Sequence, residues 1–329
     1  MQDTPFRPNS AILRGFTIIE IMVASLVMAL LVSGIISITV NFIKSYNNAS
    51  AKLSSNYVAR SVLDIMERDL ESAVFRNNSS VWMVVEYQRS NLGTNMSNGN
   101  FPLGTGGSSG IYFFSTPQDG DPDFPGAVSA MSYSLSQSRP LRGVGQLPDG
   151  AAALYRNIET PRETFDTILD GAAYDDILQI DASVSALQSD IRYVDSDRAD
   201  YYLTDSVHDL SIRLYVNEIA DAPIPNDGPY ILVPDGNARI AFPFVKGNYY
   251  KDSNVDGIPD NSAIQQTETT ILAPDFIEID IRVLSDDLKQ LLEIVDGGFT
   301  TLSQTQTKEE ISKGIESFHK RIQIYSGSL

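Results

Sequence analysis

Apolar residues are distributed unevenly along the chain, and the densest run lies near its N-terminus. Within the apolar stretch Phe16–Ile43, residues 21–43 form 23 consecutive positions without a charged side chain. A hydrocarbon core about 30 Å thick is crossed by roughly 20 helical residues. A single open segment can satisfy its backbone polar groups in lipid only as a helix. The pattern therefore predicts one transmembrane helix.

The helical spacing continues beyond this run, and then the pattern changes to that of strands. Apolar residues recur three and four positions apart at Val58, Val62, Ile65, Met66, Leu70, Ala73 and Val74. We therefore predict one helix from Phe16 to about Phe75, which at 1.5 Å per residue would be on the order of 90 Å long. From Asn77 onward, short β-like runs are separated by Gly, Pro, Asn and Asp. The predicted fold class is α+β, with a long N-terminal helix packed on a large, mainly antiparallel β head.

Within the head, the sequence predicts nine strands, two short helices and two long loops. The helices are Asp286–Val295 and Lys308–Ser317, and the loops are Asn91–Ser109 and Glu218–Asn237. Apolar residues alternate most clearly in FIEIDIRVL (276–284), which predicts a strand with one polar face. The predicted strands are Val81–Tyr87, Gly110–Ser115, Val128–Ser136, Ala152–Arg156, Ile177–Val184, Leu210–Val216, Ile240–Val245, Phe276–Leu284 and His319–Tyr325.

Composition and charge exclude several classes of function. The chain of 329 residues carries 42 acidic and 24 basic side chains, a formal charge of -18, which repels the phosphate backbone, so we expect no nucleic acid partner. It has no cysteine, which excludes disulfides, thiolate metal sites and cysteine nucleophiles. The only histidines, His208 and His319, each fit an ordinary surface position. The G-x-S-x-G match at residues 106–110 is not expected to be a nucleophile elbow, because it lacks the strand before it and the helix after it that such an elbow needs. We expect no enzyme.

The residues around the apolar run predict its orientation and leave one side chain to explain. Arg7 and Arg14 against Asp3 favour a cytoplasmic N-terminus and an extracytoplasmic head. The run is too long for a secretory signal peptide, whose apolar region has about 7–15 residues. A plain signal anchor fits the length and the charge but leaves Glu20 inside the apolar block. That acid either needs a partner in the membrane or lies near the interface, facing the positive end of the helix dipole.

The segment from Arg14 to Glu20, RGFTIIE, resembles the type III signal of type IV prepilins and pseudopilins. The resemblance implies that a prepilin peptidase cuts after Gly15 and that Phe16 becomes an N-methylated mature N-terminus. Glu20, the fifth mature residue, would then meet the α-amino group of a neighbouring subunit and set the axial register. It further implies three regions: a cytoplasmic leader (1–15), a pilin-like helix (16–75, transmembrane over about 16–43) and an extracytoplasmic β-rich head (76–329).

The segment MERDLESAV (66–74) resembles the end of the long helix in large minor pilins of the W type and minor pseudopilins of the J type. An amphipathic helix packing on a sheet explains the same residues. The resemblance implies a structural subunit of a type IV pilus or of a type II secretion pseudopilus. Such a subunit lies in the inner membrane before assembly, and its partners are the peptidase and other pilins or pseudopilins.

A second motif, DSNVDGIPD (252–260), has the spacing of a calcium loop. A hard cation takes six to eight oxygen ligands, and a glycine allows the tight turn between them. The motif resembles EF-hand-like and thrombospondin type 3 loops, although Ala263 stands where an EF-hand has its bidentate Glu. A turn held by side-chain-to-backbone bonds is the alternative. If calcium binds, the chain also fits a signal-anchored adhesin or binding module with a calcium-stabilised head. The candidate ligands are the side chains of Asp252, Asn254, Asp256 and Asp260 and the carbonyl of Ile258.

Overall fold

The computed structural model of the chain describes residues 17–74, 81–87, 109–116, 128–136, 147, 151–165, 202–217, 229–234, 239–251, 265–271, 273–296 and 314–324. The chain divides into two compact units, Met1–Ser50 and Ala51–Leu329. Both the long helix and the antiparallel sheet of the α+β prediction are present.

The long helix, α1, covers Ile18–Glu71 and has 54 residues. All of its residues up to Ser50 are exposed, and burial begins in the next turns. The predicted helix is confirmed, with its ends at Ile18 and Glu71. The buried side chains repeat at three- and four-residue spacing, as expected for one face of a helix packed on a core. They are Ser55, Ala59, Val62, Leu63, Met66, Asp69 and Leu70.

Eleven described strands form one sheet in which every pairing is antiparallel. The described residues also contain two shorter helices, α2 (Pro161–Glu163) and α3 (Asp286–Asp296), and α3 confirms the predicted helix at Asp286. The strands are β1 (Met83–Tyr87), β2 (Ser109–Ser115), β3 (Ser129–Ser136), β4 (Ala152–Ile158), β5 (Tyr202–Val216), β6 (Tyr230–Pro234), β7 (Arg239–Phe242), β8 (Phe244–Lys251), β9 (Gln265–Thr270), β10 (Phe276–Leu284) and β11 (Ile315–Gln323).

The sheet is curled, and its path returns to where it began. The strands follow the order β7-β1-β2-β3-β4-β5-β6-β8-β9, and only Pro243 separates β7 from β8. Since β7 pairs with β1 and β8 pairs with β6, the first strand of the path is joined covalently to its second-to-last strand. The long β5 is the branch point, because it pairs with β4 and β6 along one edge and with β10 along the other. In turn, β10 pairs with β11.

The main core lies between one face of this sheet and α1. In β10, Ile277, Ile279, Ile281 and Val283 are buried, which confirms the alternation predicted for this strand. They lie opposite buried aliphatic residues of β5, and the same core includes the α1 residues from Ala59 to Leu70. Cross-strand pairs of this kind stabilise one register, since a one-residue slip would move the apolar set to the other face.

A smaller core lies beneath α3, where Leu288 and Leu292 pack against Ala151, Ala153 and Tyr155. The start of β11 approaches this helix closely. A Cβ placed on Gly314 would lie 2.8 Å from Leu288 Cδ2. Glycine is therefore required for β11 to begin beside α3.

Four sequence predictions need correction or completion. The helix predicted at Lys308–Ser317 is wrong at Ile315–Ser317, which belong to β11 because all nine residues of that strand pair with β10. The strand predicted at Ile240–Val245 is two strands, divided at Pro243. Strand β6 lies inside a predicted loop, and β9 was not predicted. The strand at 177–184 and the predicted loop at 91–108 fall outside the described residues.

Candidate functional site

The first candidate feature is the apolar N-terminal part of α1. Every residue from Thr17 to Ser50 is exposed, including the large apolar side chains up to Ile43. The helix is long and apolar enough to cross a membrane or to serve as a signal anchor. Folded proteins in water rarely expose a continuous apolar surface of more than a few hundred Å². This surface therefore requires lipid or other protein around it.

Glu20 lies in the first turn of this helix and forms a capping box with Thr17. Its Oε2 accepts hydrogen bonds from the Thr17 backbone N–H at 2.9 Å and from the Thr17 hydroxyl at 3.1 Å. In return, the Glu20 N–H donates to Thr17 Oγ1 at 3.3 Å. Such reciprocal bonds satisfy donors that have no partner inside the helix. Thr17 was not singled out from the sequence, although the T-x-x-E spacing is the recognised signal for this arrangement.

The other predicted site residues lie outside the described part of the chain. They are Gly15 and Phe16, and the calcium-loop residues Asp252, Asn254, Asp256, Ile258 and Asp260. Cleavage after Gly15 and calcium binding therefore stay predictions. Among the residues that the structure describes, no group of three or more His, Asp or Glu side chains is arranged to hold a metal ion.

The second candidate feature is a buried charge cluster that joins the end of α1 to the sheet. Asp69 on α1 is 4% exposed and is bound by Arg156 of β4 through two contacts, Nε–Oδ2 at 2.6 Å and Nη2–Oδ1 at 2.9 Å. The Tyr133 hydroxyl of β3 donates to Asp69 Oδ2 and accepts from Arg156 Nε at 3.1 Å. Burial first, and then the Asp69 carboxylate, raise the pKa of Tyr133 well above its ordinary value. The phenol therefore stays protonated and donates.

The position of Asp69 in the helix is itself unfavourable. It lies in the last turn of α1, near the negative end of the helix dipole, where an anion is disfavoured. Removing a carboxylate from water adds a desolvation cost of several kcal/mol. The bidentate guanidinium and the phenol offset both costs. Sequence reasoning missed this cluster because its members are 87 and 64 residues from Asp69 along the chain.

Further bonds hold the chain just after α1 against β2. The Ser115 hydroxyl donates to the Asp69 carbonyl at 2.8 Å, and the Ser72 and Ser115 hydroxyls are 2.7 Å apart. The Val74 N–H donates to the Phe114 carbonyl at 2.8 Å. Because these bonds follow the buried cluster directly, both the side chains and the backbone at the end of α1 are tied to the sheet.

A surface ion-pair group joins α1 to β11. Lys320 Nζ lies 2.7 Å from Asp64 Oδ1 and 2.5 Å from Glu67 Oε2, both on α1. The hydrogen bond from Lys320 lowers the pKa of Asp64, and its charge adds to the effect. Exposed pairs of this kind contribute little to stability, so this contact is an accessory to the buried cluster.

The face of β5 and β10 away from the main core carries a second charge group. Arg213 of β5 binds Asp280 and lies 3.5 Å from Glu278 Oε1, and both acids are on β10. Glu278 is 5% exposed, and among the described residues its Oε2 has no hydrogen-bond partner, with Arg321 Nη2 3.9 Å away. Burial raises the pKa of Glu278, although the Arg213 charge opposes the shift. On the neighbouring β11, His319 is exposed and lies opposite Asp280, as expected for a surface histidine beside an acid.

Comparison with protein-family models, with curated proteins and with solved structures finds no match for this chain. The class that the structure supports is an α+β protein with a large curled antiparallel sheet and one N-terminal apolar helix that is long enough to span a membrane.

Proposed function

We propose that the chain is a pilin-like structural subunit, a minor pilin or minor pseudopilin that is anchored in the inner membrane and then assembled through α1. The single observation that carries the proposal is that two parts of one helix have different surroundings. Residues of α1 up to Ser50 are exposed on all sides, and those from Ser55 onward bury one face in the head core. A subunit that moves from lipid into a filament needs both properties in one element.

A second feature of α1 favours protein partners over a simple anchor. Leu53 and Tyr57 are 71% and 77% exposed, and they are four residues apart, so they lie on the same face of the helix. Tyr57 is two positions from both Ser55 and Ala59, about 200° around the helix, which turns it away from the buried face. Both residues lie at least ten positions beyond Ile43, the last residue of the apolar run. Lipid acyl chains would not cover them, whereas a neighbouring helix would.

The alternative is a signal-anchored cell-surface binding module, and one observation favours it. Glu20 already has hydrogen-bond donors in its own chain, the N–H and hydroxyl of Thr17. An acid that caps its own helix does not require a neighbouring subunit to explain its presence. In this alternative Gly15 and Phe16 are ordinary residues of an uncleaved segment.

The N-terminal mass of the protein from its native membranes tests the proposal. A pilin-like subunit should begin at Phe16, and Gly15→Val should leave the 15-residue leader attached, because the peptidase site requires a small residue there. Gly34→Val is the matched control, since Gly34 is an exposed glycine of the apolar helix with open space around its Cα. That variant should be processed as the wild type is. Recovery of the wild-type protein with residues 1–15 intact would reject the pilin-like assignment and favour the anchored module.

A further inference from the structure

A buried ion pair is often no more stabilising than apolar residues of similar volume, so the cluster at the end of α1 invites a role besides stability. We propose that Asp69, Arg156 and Tyr133 form a register lock, a set of contacts that holds residues 51–71 of α1 at one axial position on the sheet. The inference does not depend on the proposed function, because a filament subunit and an anchored module both need one defined head structure.

The apolar face of α1 could pack on the sheet in a second register. A slide of four residues rotates a helix by only about 40° and moves it by about 6 Å, so the same face still meets the sheet. Each buried position would then receive the residue four places earlier in the chain. The residues brought in are all small or apolar: Ala51, Ser55, Val58, Ala59, Val62, Ile65 and Met66.

Two other short slides are excluded by charges outside the cluster. A three-residue slide in the same direction would bring Arg60 and Glu67 to the places of Leu63 and Leu70, which are buried. A four-residue slide in the opposite direction would bring Glu67 to the place of Leu63. A three-residue slide in the opposite direction would bring one charge to a buried place, that of Asp69 itself at the place of Met66, so Asp69 disfavours this register too. The four-residue slide described above is the competitor in which every incoming residue is small or apolar.

In that competing register, Ile65 would take the place of Asp69. The Arg156 guanidinium and the Tyr133 hydroxyl would then remain buried without the carboxylate that both now contact. Breaking a buried ion pair of this kind is strongly destabilising, because the bidentate contact helps to offset the cost of burying the guanidinium.

Two other effects also disfavour the competing register. Ala59 and Val62 would replace the larger Leu63 and Met66, which loosens the packing. On the surface, Lys320 would meet Arg60 in place of Asp64. Neither effect breaks a buried ion pair, and so we assign the main discrimination between the registers to Asp69.

Distance measurements between spin labels test the lock, and the absence of native cysteine makes specific labelling simple. The full chain in detergent is labelled at Ser61→Cys on α1 and at Ser317→Cys or Gln323→Cys at either end of β11, all of them exposed positions. Wild type should give one distance for each pair. In Asp69→Leu/Arg156→Met, which replaces both charges of the cluster, at least one pair should show a second distance that differs by several ångströms.

Two further variants make the result specific. Ala51→Glu, added to the apolar pair, would carry a charge into the buried place of Ser55 in the competing register, so the second distance should disappear. Lys320→Met removes the surface ion pairs and should keep a single distance. If the apolar pair does not fold, Asp69→Asn provides the same test with little change of shape. A single, unchanged distance in the variant that folds would overturn the proposal.

Discussion

Replacing Arg156 by Met tests the energetics of the buried cluster directly. The change leaves the Asp69 carboxylate 4% exposed, near the C-terminal end of its helix, with the Tyr133 hydroxyl as its remaining side-chain partner in the cluster. Breaking a buried pair by removing one partner costs about 3–5 kcal/mol. Since about 1.4 kcal/mol is a factor of ten, the folding equilibrium should fall by roughly 10²–10⁴-fold. By contrast, replacing both partners by apolar residues is often neutral or stabilising by about 1–4 kcal/mol.

Trp82 provides the assay, because it is the only tryptophan in the chain and is fully buried in the main core. Its ring centroid is 5.9 Å from that of Phe242 in β7, so its fluorescence should change when the core opens. Urea unfolding of the full chain in detergent, followed at this residue, gives the midpoint and slope for each variant. We expect Arg156→Met to unfold at much lower urea. Asp69→Leu/Arg156→Met should recover most of that loss, short of the roughly 1–3 kcal/mol that burial of the Tyr133 hydroxyl costs once both of these partners are replaced.

The stability of the double variant relative to the single variant shows whether the ion pair is net stabilising or serves the register. If the double variant loses as much stability as the single variant, the ion pair is a net stabilising interaction. Its presence would then be explained without the register lock. Lys320→Met is the matched control, since it removes ion pairs to the same helix from an exposed position. It should leave the midpoint almost unchanged.

Three further predictions concern other parts of the chain. Calcium at about 100 times a dissociation constant of 10⁻⁴–10⁻³ M should stabilise the head by roughly 2.7 kcal/mol, and Asp256→Ala should abolish the gain; equal melting temperatures with calcium and with chelator would indicate an ordinary turn. Burial raises the pKa of Glu278, so the folded state binds the carboxyl proton more tightly than the unfolded state does. The free energy of unfolding should therefore fall as the pH rises from the unfolded-state pKa through the folded-state pKa. The melting temperature of Glu278→Gln minus that of wild type should therefore be more positive at pH 7 than at pH 3.5, and a pH-independent difference would contradict this. Thr17→Ala and Glu20→Ala should both insert into membranes, but only Glu20→Ala should be poorly recovered in sheared filaments; equal recovery of the two would reduce Glu20 to a helix cap.

The sequence predicted the parts of the fold in which one local pattern dominates. Strand β10 has the predicted bounds because its aliphatic residues alternate without interruption. Helix α1 follows from apolar spacing over many turns. By contrast, β6 lies between Gly228 and Asp235, and its own Pro234 adds a further turn signal. Strand β9 reads QQTETT and has no apolar alternation, because it lies at the end of the strand order. Such elements are determined by the strand that they pair with, and local sequence does not contain that information.

The same distinction applies to the candidate site. Glu20 was found because it interrupts an apolar run, and such an interruption is visible in the sequence alone. Asp69 was not found, because it looks like one more acid in the segment MERDLE. Its importance arises only when β3 and β4 bring Tyr133 and Arg156 to the same face of α1. A charge on an otherwise apolar helical face is the signal that could have directed attention to it.

The capping box of Glu20 is compatible with its proposed role in assembly, as a comparison of the two free energies shows. A helix cap contributes about 1 kcal/mol. An acid at the centre of a membrane helix costs about 2.5–3.5 kcal/mol. Glu20 lies in the first turn of α1, where that cost is smaller, but its hydrogen bonds to Thr17 supply no positive charge. A cation near Glu20 would therefore still be favourable. Cleavage after Gly15 would create an amine on Phe16, directly before the Thr17 whose N–H the Glu20 carboxylate binds. On this argument a processed subunit would provide the cation for its own Glu20 while it is in lipid. A neighbouring subunit would then need only to exchange one amine for another, and the net cost of moving the helix from membrane to filament would be small.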